Sequence, residues 1–475
     1  MEPIRTRYAP SPTGFQHVGG IRTALFAWLT ARQAGGQFIL RFEDTDKKRE
    51  VEGAREHLIH SLGALGLNYD EGPDIGGPYA PYVQSERLDT YKRWAQQLID
   101  AGRAYADPYT AEEVQAFREQ AKADKKPFLY RNHRPQNPPA WDGSQPLRFK
   151  SEPKSYNWHD AVMGDSKGGP EMIDDFILIK TDGFPTYNFA HIIDDTEMKI
   201  SHVMRGQEFL SSVPNYLNLY EALGVKPPVL ATLPHVMAAE GTKKLSKRDD
   251  AKDVLDYIRD GFLPEALINF MASLGWSDGT EQEIFTRDEL IEKFNIANIQ
   301  NSGARFDQRR LEWMNGYWIR QLPLDELFAR VQDFWPEEAS SATEDYKKQV
   351  LSLVQERLKY FAELPDLTRF FFVDLPIDPK LISEHKQLKK LSPEELRQFL
   401  QLTRDSLGES DFSLQDLTER LNQLLEQTGQ KPTVLFGLIR VATTQSPASP
   451  GLADTLAVFG KKRSLSRIDA QLAAP

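Results

Sequence analysis

The opening turn of the chain combines residues that suit phosphate binding. Residues 9–20 read APSPTGFQHVGG, after a short apolar strand that ends at Tyr8 and before a helical pattern from Ile21. A helix start offers unpaired N–H groups and the positive end of the helix dipole. Gly19 and Gly20 let a ligand approach the backbone closely, and His17 can donate a hydrogen bond to a phosphate oxygen. The turn matches neither the dinucleotide motif nor the P-loop, and alone it is more typical of an ordinary turn.

A second segment with nucleotide-binding character lies far away in the chain. Residues 241–248 read GTKKLSKR and follow the last predicted strand, Val229–Leu233. Lysines on a glycine-started loop act as flexible point charges, which suit a polyphosphate whose charge grows as a bond breaks. Lys244 and Lys247 are the candidates. Taken alone, this segment is more commonly an exposed basic loop.

Composition restricts the class of protein. The chain has 475 residues, of which 40% are hydrophobic and 27% charged, and it contains no run of eighteen apolar residues, so we expect no membrane contact and a cytoplasmic protein. It has no cysteine, which excludes disulfides, thiol nucleophiles and cysteine-based zinc sites. The net charge of −11 argues against a protein that coats nucleic acid, although local basic clusters occur within residues 118–134, 243–248 and 461–467. Each cluster is more commonly a solvated face.

The order of predicted elements indicates an α/β protein with a parallel sheet. Strands and helices alternate over residues 1–104 and resume over 189–240, including a strand at Ile192-Ile193, while 105–188 is rich in proline and polar residues and looks like an insertion. Residues 241–325 and 326–475 are mainly helical. Ser392 and Ser413 are predicted helix N-caps, and Leu417, Leu421, Leu424 and Leu425 form an apolar stripe that indicates core.

The two nucleotide signals, in this order and separated by an insertion, resemble the paired motifs of class I aminoacyl-tRNA synthetases. Five further stretches are similar to bacterial glutamyl-tRNA synthetases, and the similarity runs nearly end to end. These stretches are RYAPSPTG (7–14), RFEDTD (41–46), DGFPTY (182–187), RGQE (205–208) and WMNG (313–316). Two departures are visible: Gln16 replaces a usual apolar residue, and His191 stands where asparagine is common. The resemblance implies a Rossmann-like catalytic domain (1–104 and 189–240), an inserted acceptor-end domain (105–188), a stem-contact domain (241–325) and an all-α anticodon-binding domain (326–475).

The resemblance also implies a two-step reaction without a side-chain nucleophile. Glutamate would attack the α-phosphate of ATP, and the adenylate would then esterify the terminal adenosine of tRNA(Glu), with the protein supplying position and charge. His17, Lys244 and Lys247 would be the catalytic residues. The residues implied for ATP binding are these three with Thr13, Gly19, Gly20, Glu208 and Val236. ATP would carry Mg²⁺, no zinc is expected, and the protein is expected to be a monomer.

Glutamate is an anion, so its site needs fixed cations. By the resemblance, Arg7 and Arg205 would bind its two carboxylates and Glu43 its ammonium group. Ser11, Tyr187 and His191 would complete the glutamate site. Without the resemblance, Arg7, Glu43 and Arg205 would be interpreted as an internal salt-bridge network.

Arg357 falls near a position at which arginine in relatives helps to accept glutamate anticodons. Three other interpretations remain: a glutaminyl-tRNA synthetase, a truncated relative that modifies a tRNA base, and a catalytically silent tRNA-binding or scaffold protein. The helical C-terminal third argues against the first two, and the retained charged motifs argue against the third. Whether tRNA(Gln) is also charged is left open, and the family leads us to expect that tRNA is needed for glutamate activation.

Overall fold

The structure is a computed structural model that describes residues 3–16, 18–241, 243–245 and 252–474. The strands of this part of the chain are β1 (Arg5–Tyr8), β2 (Gln37–Leu40), β3 (Ala104–Ala106), β4 (Leu147–Phe149), β5 (Tyr156–Asp160), β6 (Gly164–Gly168), β7 (Ile177–Ile179), β8 (His202–Gly206), β9 (Val229–Leu233), β10 (Val236–Met237) and β11 (Ala304–Arg305). The α-helices are α1 (Val18–Gln33), α2 (Ala54–Ala64), α3 (Leu88–Asp100), α4 (Ala111–Ala123), α5 (Tyr187–Glu197), α6 (Val213–Ala222), α7 (Val254–Arg259), α8 (Pro264–Ser273), α9 (Arg287–Lys293), α10 (Gln308–Gln321), α11 (Leu324–Arg330), α12 (Glu344–Val354), α13 (Leu364–Phe372), α14 (Lys380–Ser383), α15 (Pro393–Gly408), α16 (Leu414–Thr428), α17 (Pro432–Thr444) and α18 (Leu452–Ala473).

The main sheet has the strand order β2-β1-β8-β9-β5-β6. The first five strands are parallel and β6 is antiparallel to β5, so the predicted parallel sheet is confirmed. Strand β1 is buried along its whole length, with Arg5 and Arg7 on one face and Thr6 and Tyr8 on the other. The Thr6 hydroxyl donates to the Ala27 carbonyl of α1 at 2.8 Å, which leaves the two arginines to the opposite face.

Two glycines after helix α1 return the chain to the sheet at β2. Gly35 adopts a φ of 61°, in the left-handed region that glycine enters without strain. A Cβ on Gly36 would lie 2.1 Å from the Ile4 carbonyl oxygen. Only glycine permits this approach, which places β2 beside β1.

One predicted element has a different secondary structure in the fold. The segment that contains Ile192-Ile193 was expected to be a strand, and it is part of helix α5. A short apolar pair does not distinguish a strand from the buried face of a helix. The correction matters because α5 carries Tyr187, His191 and two buried carboxylates against the arginine face of β1.

The segment predicted as an insertion contributes to two sheets. Strands β3, β4 and β7 form an antiparallel sheet of their own. The hairpin β5–β6 instead extends the main sheet, where Asp160 pairs with Leu230 of β9. The buried Asp160 carboxylate also accepts from the Thr232 hydroxyl at 2.6 Å, which fixes the hairpin to the main sheet.

The chain divides into two compact units: unit 1 comprises residues 1–258 and 264–311, and unit 2 comprises 259–263 and 312–475. In its described residues unit 2 contains helices and no strand. Ser392 and Ser413 cap α15 and α16 as predicted, accepting from Glu395 and Asp416 N–H groups. The predicted leucine stripe of α16 lies in the core of this unit.

Part of the C-terminal basic cluster is structural. Arg467 is buried, donates to the Phe370, Val373 and Thr443 carbonyls, and pairs with Asp374. Arg463 donates to the Phe372 carbonyl at 3.0 Å. These arginines satisfy helix-end carbonyls, which a charge count along the sequence does not reveal. No helix in the described ranges is long and apolar enough to cross a membrane.

Candidate active site

The predicted site residues of unit 1 lie where the parallel strands end. β1 leads into the opening turn, β2 into Arg41 and Glu43, β8 into Glu208, and β9 into β10. In α/β proteins, ligands bind at the carboxyl edge of the strands. The shared direction of four strands therefore brings four distant sequence segments to one edge.

The opening turn is fixed by its own carbonyls. The Pro10 and Pro12 carbonyls accept from the Glu43 and Val51 N–H groups at 3.0 and 2.9 Å, and the Ser11 carbonyl accepts from Thr13. Ser11 is half-buried and Thr13 is exposed at this edge, and Gly19 and Gly20 form the first turn of α1. His17 lies outside the described residues.

The second segment folds back on β10. The Val236 carbonyl accepts from Leu245 N–H at 2.8 Å, and Ala238 N–H donates to the Lys243 carbonyl. This return places the Lys244 ammonium 3.6 Å from a carboxylate oxygen of Glu208, so these two predicted residues are brought together. Lys247 lies outside the described residues.

Glu208 also lies 3.7 Å from the His235 ring. Burial, reinforced by the Lys244 charge, lowers the pKa of His235, which favours its neutral form. The Glu208 carboxylate is about half-exposed and is shared between two partial partners. It therefore retains acceptor capacity for further hydrogen bonds.

Arg7 is held in a buried ion network. Its Nε and one terminal nitrogen donate to Asp195 at 3.1 and 3.4 Å, and its other terminal nitrogen donates to the Met204 carbonyl. Asp195 also contacts Arg41 at 2.9 Å. Burial opposes ionisation, but Arg7 and Arg41 hold the pKa of Asp195 at about 2. Among the described residues these contacts use three of the five N–H groups of Arg7, so two donors remain.

Arg41 is fully buried and connects three carboxylates. Besides Asp195, it contacts Glu43 at 3.2 Å and Asp194 at 3.7 Å. Asp194 also pairs with Arg87 at 2.7 Å. Burial raises the pKa of Glu43 to about 7 against the opposing effect of Arg41 and Arg7, so Glu43 is the incompletely compensated carboxylate of this group.

Arg205 is different from the other buried arginines. Its guanidinium stacks 4.7 Å above the Tyr216 ring and lies 3.5 Å from Nε2 of His191. Among the described residues, no carboxylate oxygen lies within 4.0 Å of its nitrogens, although the residue is only 7% exposed. An uncompensated buried cation is costly, and its position at the site edge indicates an anionic ligand.

His191 and Tyr187 form the wall beside Arg205. His191 Nδ1 lies 2.7 Å from the Tyr187 carbonyl, so it donates there and Nε2 remains an acceptor facing Arg205. Burial and the Arg205 charge lower the pKa of His191 to about 3, so the ring is neutral. The Tyr187 ring stacks between His191 and Phe209, and burial raises the pKa of its hydroxyl, which keeps it a donor.

We call the buried charges around this site the charge cluster. It has four guanidiniums and three carboxyl groups in the described part of the chain: Arg7, Arg41, Arg87, Arg205, Glu43, Asp194 and Asp195. With every group ionised its net charge is +1, and the excess resides at Arg205, which has no carboxylate partner there. The alternative interpretation, an internal network, therefore describes Arg7 and Glu43 in part but does not describe Arg205.

Comparison with known proteins decides the family. The model of class I tRNA synthetases (E and Q), catalytic domain, matches residues 3–313, and an anticodon binding domain model matches residues 326–472. The chain belongs to this synthetase family. It is 40% identical to a glutamate–tRNA ligase of Dehalococcoides mccartyi over 98% of this chain and 96% of that protein, and 40% identical to one of Chloroflexus aurantiacus over 99% and 98%. A solved glutamate tRNA ligase of Elizabethkingia meningosepticum, in complex with its amino acid, superimposes with a TM-score of 0.88 at 33% identity and covers 99% of both chains.

The two departures from the synthetase pattern both have defined partners. The Gln16 side-chain oxygen accepts from the hydroxyl of the buried Tyr8 at 3.1 Å, which provides an acceptor that an apolar residue would lack. His191 supplies one acceptor nitrogen toward Arg205. Both residues thus supply a hydrogen-bond acceptor at the site edge of the synthetase sheet.

Sequence reasoning missed the supporting members of the cluster. Arg41, Asp194 and Asp195 were not predicted as site residues. Arg41 nevertheless pairs with Glu43 and Asp194, and Asp195 pairs with Arg7. The available signal was Arg41 next to Glu43 in one quoted stretch. Adjacent aspartates after an apolar pair carried no signal, because that pair was interpreted as a strand.

Arg357, in unit 2, is exposed at the end of a short 3₁₀ turn. Its charge, after the effect of burial, helps to lower the pKa of the nearby Arg440. The charges of these two arginines therefore influence each other on this synthetase's C-terminal unit. Such a pair suits an anionic or hydrogen-bond-accepting partner.

Proposed function

We propose that this chain attaches L-glutamate to tRNA(Glu) in the cytoplasm. In the first step a carboxylate oxygen of glutamate bonds to the α-phosphorus of ATP, the α–β bridging bond breaks, and pyrophosphate leaves. In the second, a hydroxyl of the terminal tRNA adenosine attacks the glutamyl carbonyl, and AMP leaves as the proton is lost. Both steps require positioning and charge stabilisation rather than a side-chain nucleophile.

The observation that carries the proposal is the burial of Arg205 with no carboxylate oxygen within 4.0 Å of its nitrogens in the described structure. Glutamate has a net charge of −1, which balances the +1 of the charge cluster. Arg205 and the two remaining N–H groups of Arg7 would bind its carboxylates, and Glu43 its ammonium group, with Ser11, Tyr187 and His191 completing the pocket. Neutral glutamine would leave one buried guanidinium uncompensated, which supports selection for glutamate.

ATP is proposed to bind between the opening turn and the Lys244 segment. Lys244 is 51% exposed at its side chain and has a shared carboxylate as its partner, so it can exchange that partner for a phosphate oxygen. In this proposal Thr13, His17, Gly19 and Gly20 bind phosphates, Glu208 accepts from ribose, and Val236 lies near adenine. Lys247 joins Lys244 on the departing pyrophosphate. Mg²⁺ enters as part of the substrate MgATP, through phosphate oxygens and water.

The tRNA is proposed to span the chain. Residues 105–188 would hold its acceptor end, 241–325 its stem and 326–475 its anticodon, with 1–104 and 189–240 as the catalytic domain. The helices of unit 2 and the Arg357–Arg440 pair support the last assignment. We propose that the protein acts as a monomer.

ATP–pyrophosphate exchange tests the proposal. Purified protein is supplied with glutamate or glutamine, with and without tRNA, and charging is then measured on purified tRNA(Glu) and tRNA(Gln). Glutamate-dependent exchange and charging of tRNA(Glu) support the proposal. Exchange supported only by glutamine identifies the glutaminyl activity, and no exchange under any condition refutes an enzymatic role.

A further inference from the structure

One histidine outside the glutamate site contacts residues next to both nucleotide signals. His57 lies on α2, and its ring is centred 4.5 Å from the ring of Phe15, two residues before His17. Its Nε2 lies 2.7 Å from a carboxylate oxygen of Asp253, six residues after Lys247. A single side chain thus connects two parts of the sequence that are more than two hundred residues apart.

The contact with Asp253 fixes the start of a helix. The other carboxylate oxygen of Asp253 accepts from Leu255 N–H at 2.8 Å, and its carbonyl accepts from Asp256 and Tyr257. Asp253 is therefore the residue just before α7, and its second carboxylate oxygen contacts His57. This contact therefore links α2 to the residue that precedes α7.

The contact of His57 with Phe15 lies in the opening turn. Phe15 is 45% exposed, and its ring contacts the His57 ring. Helix α2 is itself anchored to that turn, because Val51 N–H donates to the Pro12 carbonyl. Nδ1 of His57 is buried without a hydrogen-bond partner among the described residues, so the Nε2 bond and the ring contact orient this side chain.

We propose that His57 is a positioning residue that holds the two ATP-binding segments in register, through Phe15 on one side and Asp253 on the other. It touches no reacting atom. Its effect is on the distance between the phosphate-binding turn and the lysine-bearing segment, and small displacements of such groups lower the rate of phosphoryl chemistry. This inference rests on the proposed function, because that function assigns ATP to both segments.

Substitutions at His57 separate the two contacts. His57→Phe keeps a ring against Phe15 and removes the hydrogen bond, while His57→Gln places an amide N–H near the position of Nε2. We expect His57→Phe to raise the KM for ATP about tenfold or more, the size of one lost hydrogen bond to a charged group, with the KM for glutamate unchanged. His57→Gln should stay within about twofold of the wild type in the KM for ATP.

Asp253→Ser supplies the reciprocal change. Serine retains an N-cap acceptor for α7 but lacks the carboxylate that faces His57. The variant should raise the KM for ATP at least as much as His57→Phe does. In the double variant the two effects should be less than additive, because both substitutions remove the same bond. His60→Phe, an exposed histidine on the same helix, is the matched control and should leave both KM values unchanged.

Exchange kinetics and thermal unfolding are measured for each variant in the full-length protein. The inference is overturned when His57→Phe and Asp253→Ser keep the KM for ATP within twofold of the wild type. It is also overturned when the KM values for ATP and glutamate rise together with the loss of folded protein. Absence of exchange in the wild type refutes the proposed function instead, so the two failures are distinguishable.

Discussion

Replacing Arg205 by methionine tests whether its charge serves a ligand or the fold. Methionine has similar length and no charge, so it fills the space beside Tyr216 and removes the uncompensated guanidinium. Truncating one partner of a buried, hydrogen-bonded charge pair costs about 2–5 kcal/mol of binding free energy. At 1.4 kcal/mol per tenfold, the KM for glutamate should rise roughly 30-fold to more than 1,000-fold in pyrophosphate exchange with tRNA present. Stability should be unchanged or higher, because no carboxylate of the described residues loses a partner.

Arg87→Met is the matched control, since Arg87 is an equally buried arginine of the same cluster. It donates to Asp194 at 2.7 Å and to the Tyr79 and Pro81 carbonyls, so its loss leaves buried acceptors unpaired. We expect a loss of about 3–5 kcal/mol in the free energy of unfolding. Thermal unfolding and exchange kinetics on both variants give opposite patterns. The reasoning is refuted if Arg205→Met loses as much stability as Arg87→Met, or if its KM for glutamate stays within twofold of the wild type.

Three further predictions concern the same unit. Because the pKa of Glu43 is about 7, the KM for glutamate should rise as pH falls below 7, and Glu43→Gln should flatten this pH profile. The raised pKa also means that Glu43 contributes stability below its unfolded value of 4.5, and that this stability is lost as pH rises through 7. Glu43→Gln should therefore stabilise the ligand-free protein at pH 8 in thermal unfolding. Asp195→Asn should cost about 3 kcal/mol of unfolding free energy near neutral pH and raise the KM for glutamate, because Asp195 holds Arg7. The lowered pKa of Asp195 means that its carboxylate stabilises the protein above about pH 4 and that this stability is lost as pH falls toward 2. A variant that unfolds in acid with the wild-type pH profile would contradict this prediction. Lys244→Ala should lower the rate of adenylate formation by about tenfold or more with little change in the KM for glutamate, whereas equal losses in both would show that Lys244 does not act on the departing phosphate.

Strands β2 and β9 of the main sheet were predictable because they are short apolar segments with clear boundaries. Val229–Leu233 has the predicted ends, and the N-caps of α15 and α16 follow from serine before an apolar helical pattern. The strand expected at Ile192-Ile193 was wrong, because an apolar pair buried on a helix looks the same in sequence. Boundaries set by local chemistry were thus predicted better than elements set by tertiary packing.

The site shows the same division. The residues that project toward the proposed ligands, such as Arg7 and Glu43, lie in stretches that the sequence analysis had singled out. Their supports do not: Asp195 contacts Arg7 across 188 positions of the chain, and no local pattern predicts a contact of that separation. Arg205 was predicted as a ligand residue, but its lack of a carboxylate partner in the described residues emerges only when the other buried arginines are seen to be paired.

The pairing of hairpin β5–β6 with β9 limits how this protein can be divided. A shortened chain that lacks residues 105–188 would lose not only a peripheral module but also the neighbour of β9. The backbone groups of β9 and the Thr232 N–H, which now donates to Asp160, would then face solvent as an unprotected sheet edge. Such edges template pairing with other chains. A simple excision of the insertion should therefore aggregate, whereas a version that retains residues 156–168 keeps the edge covered.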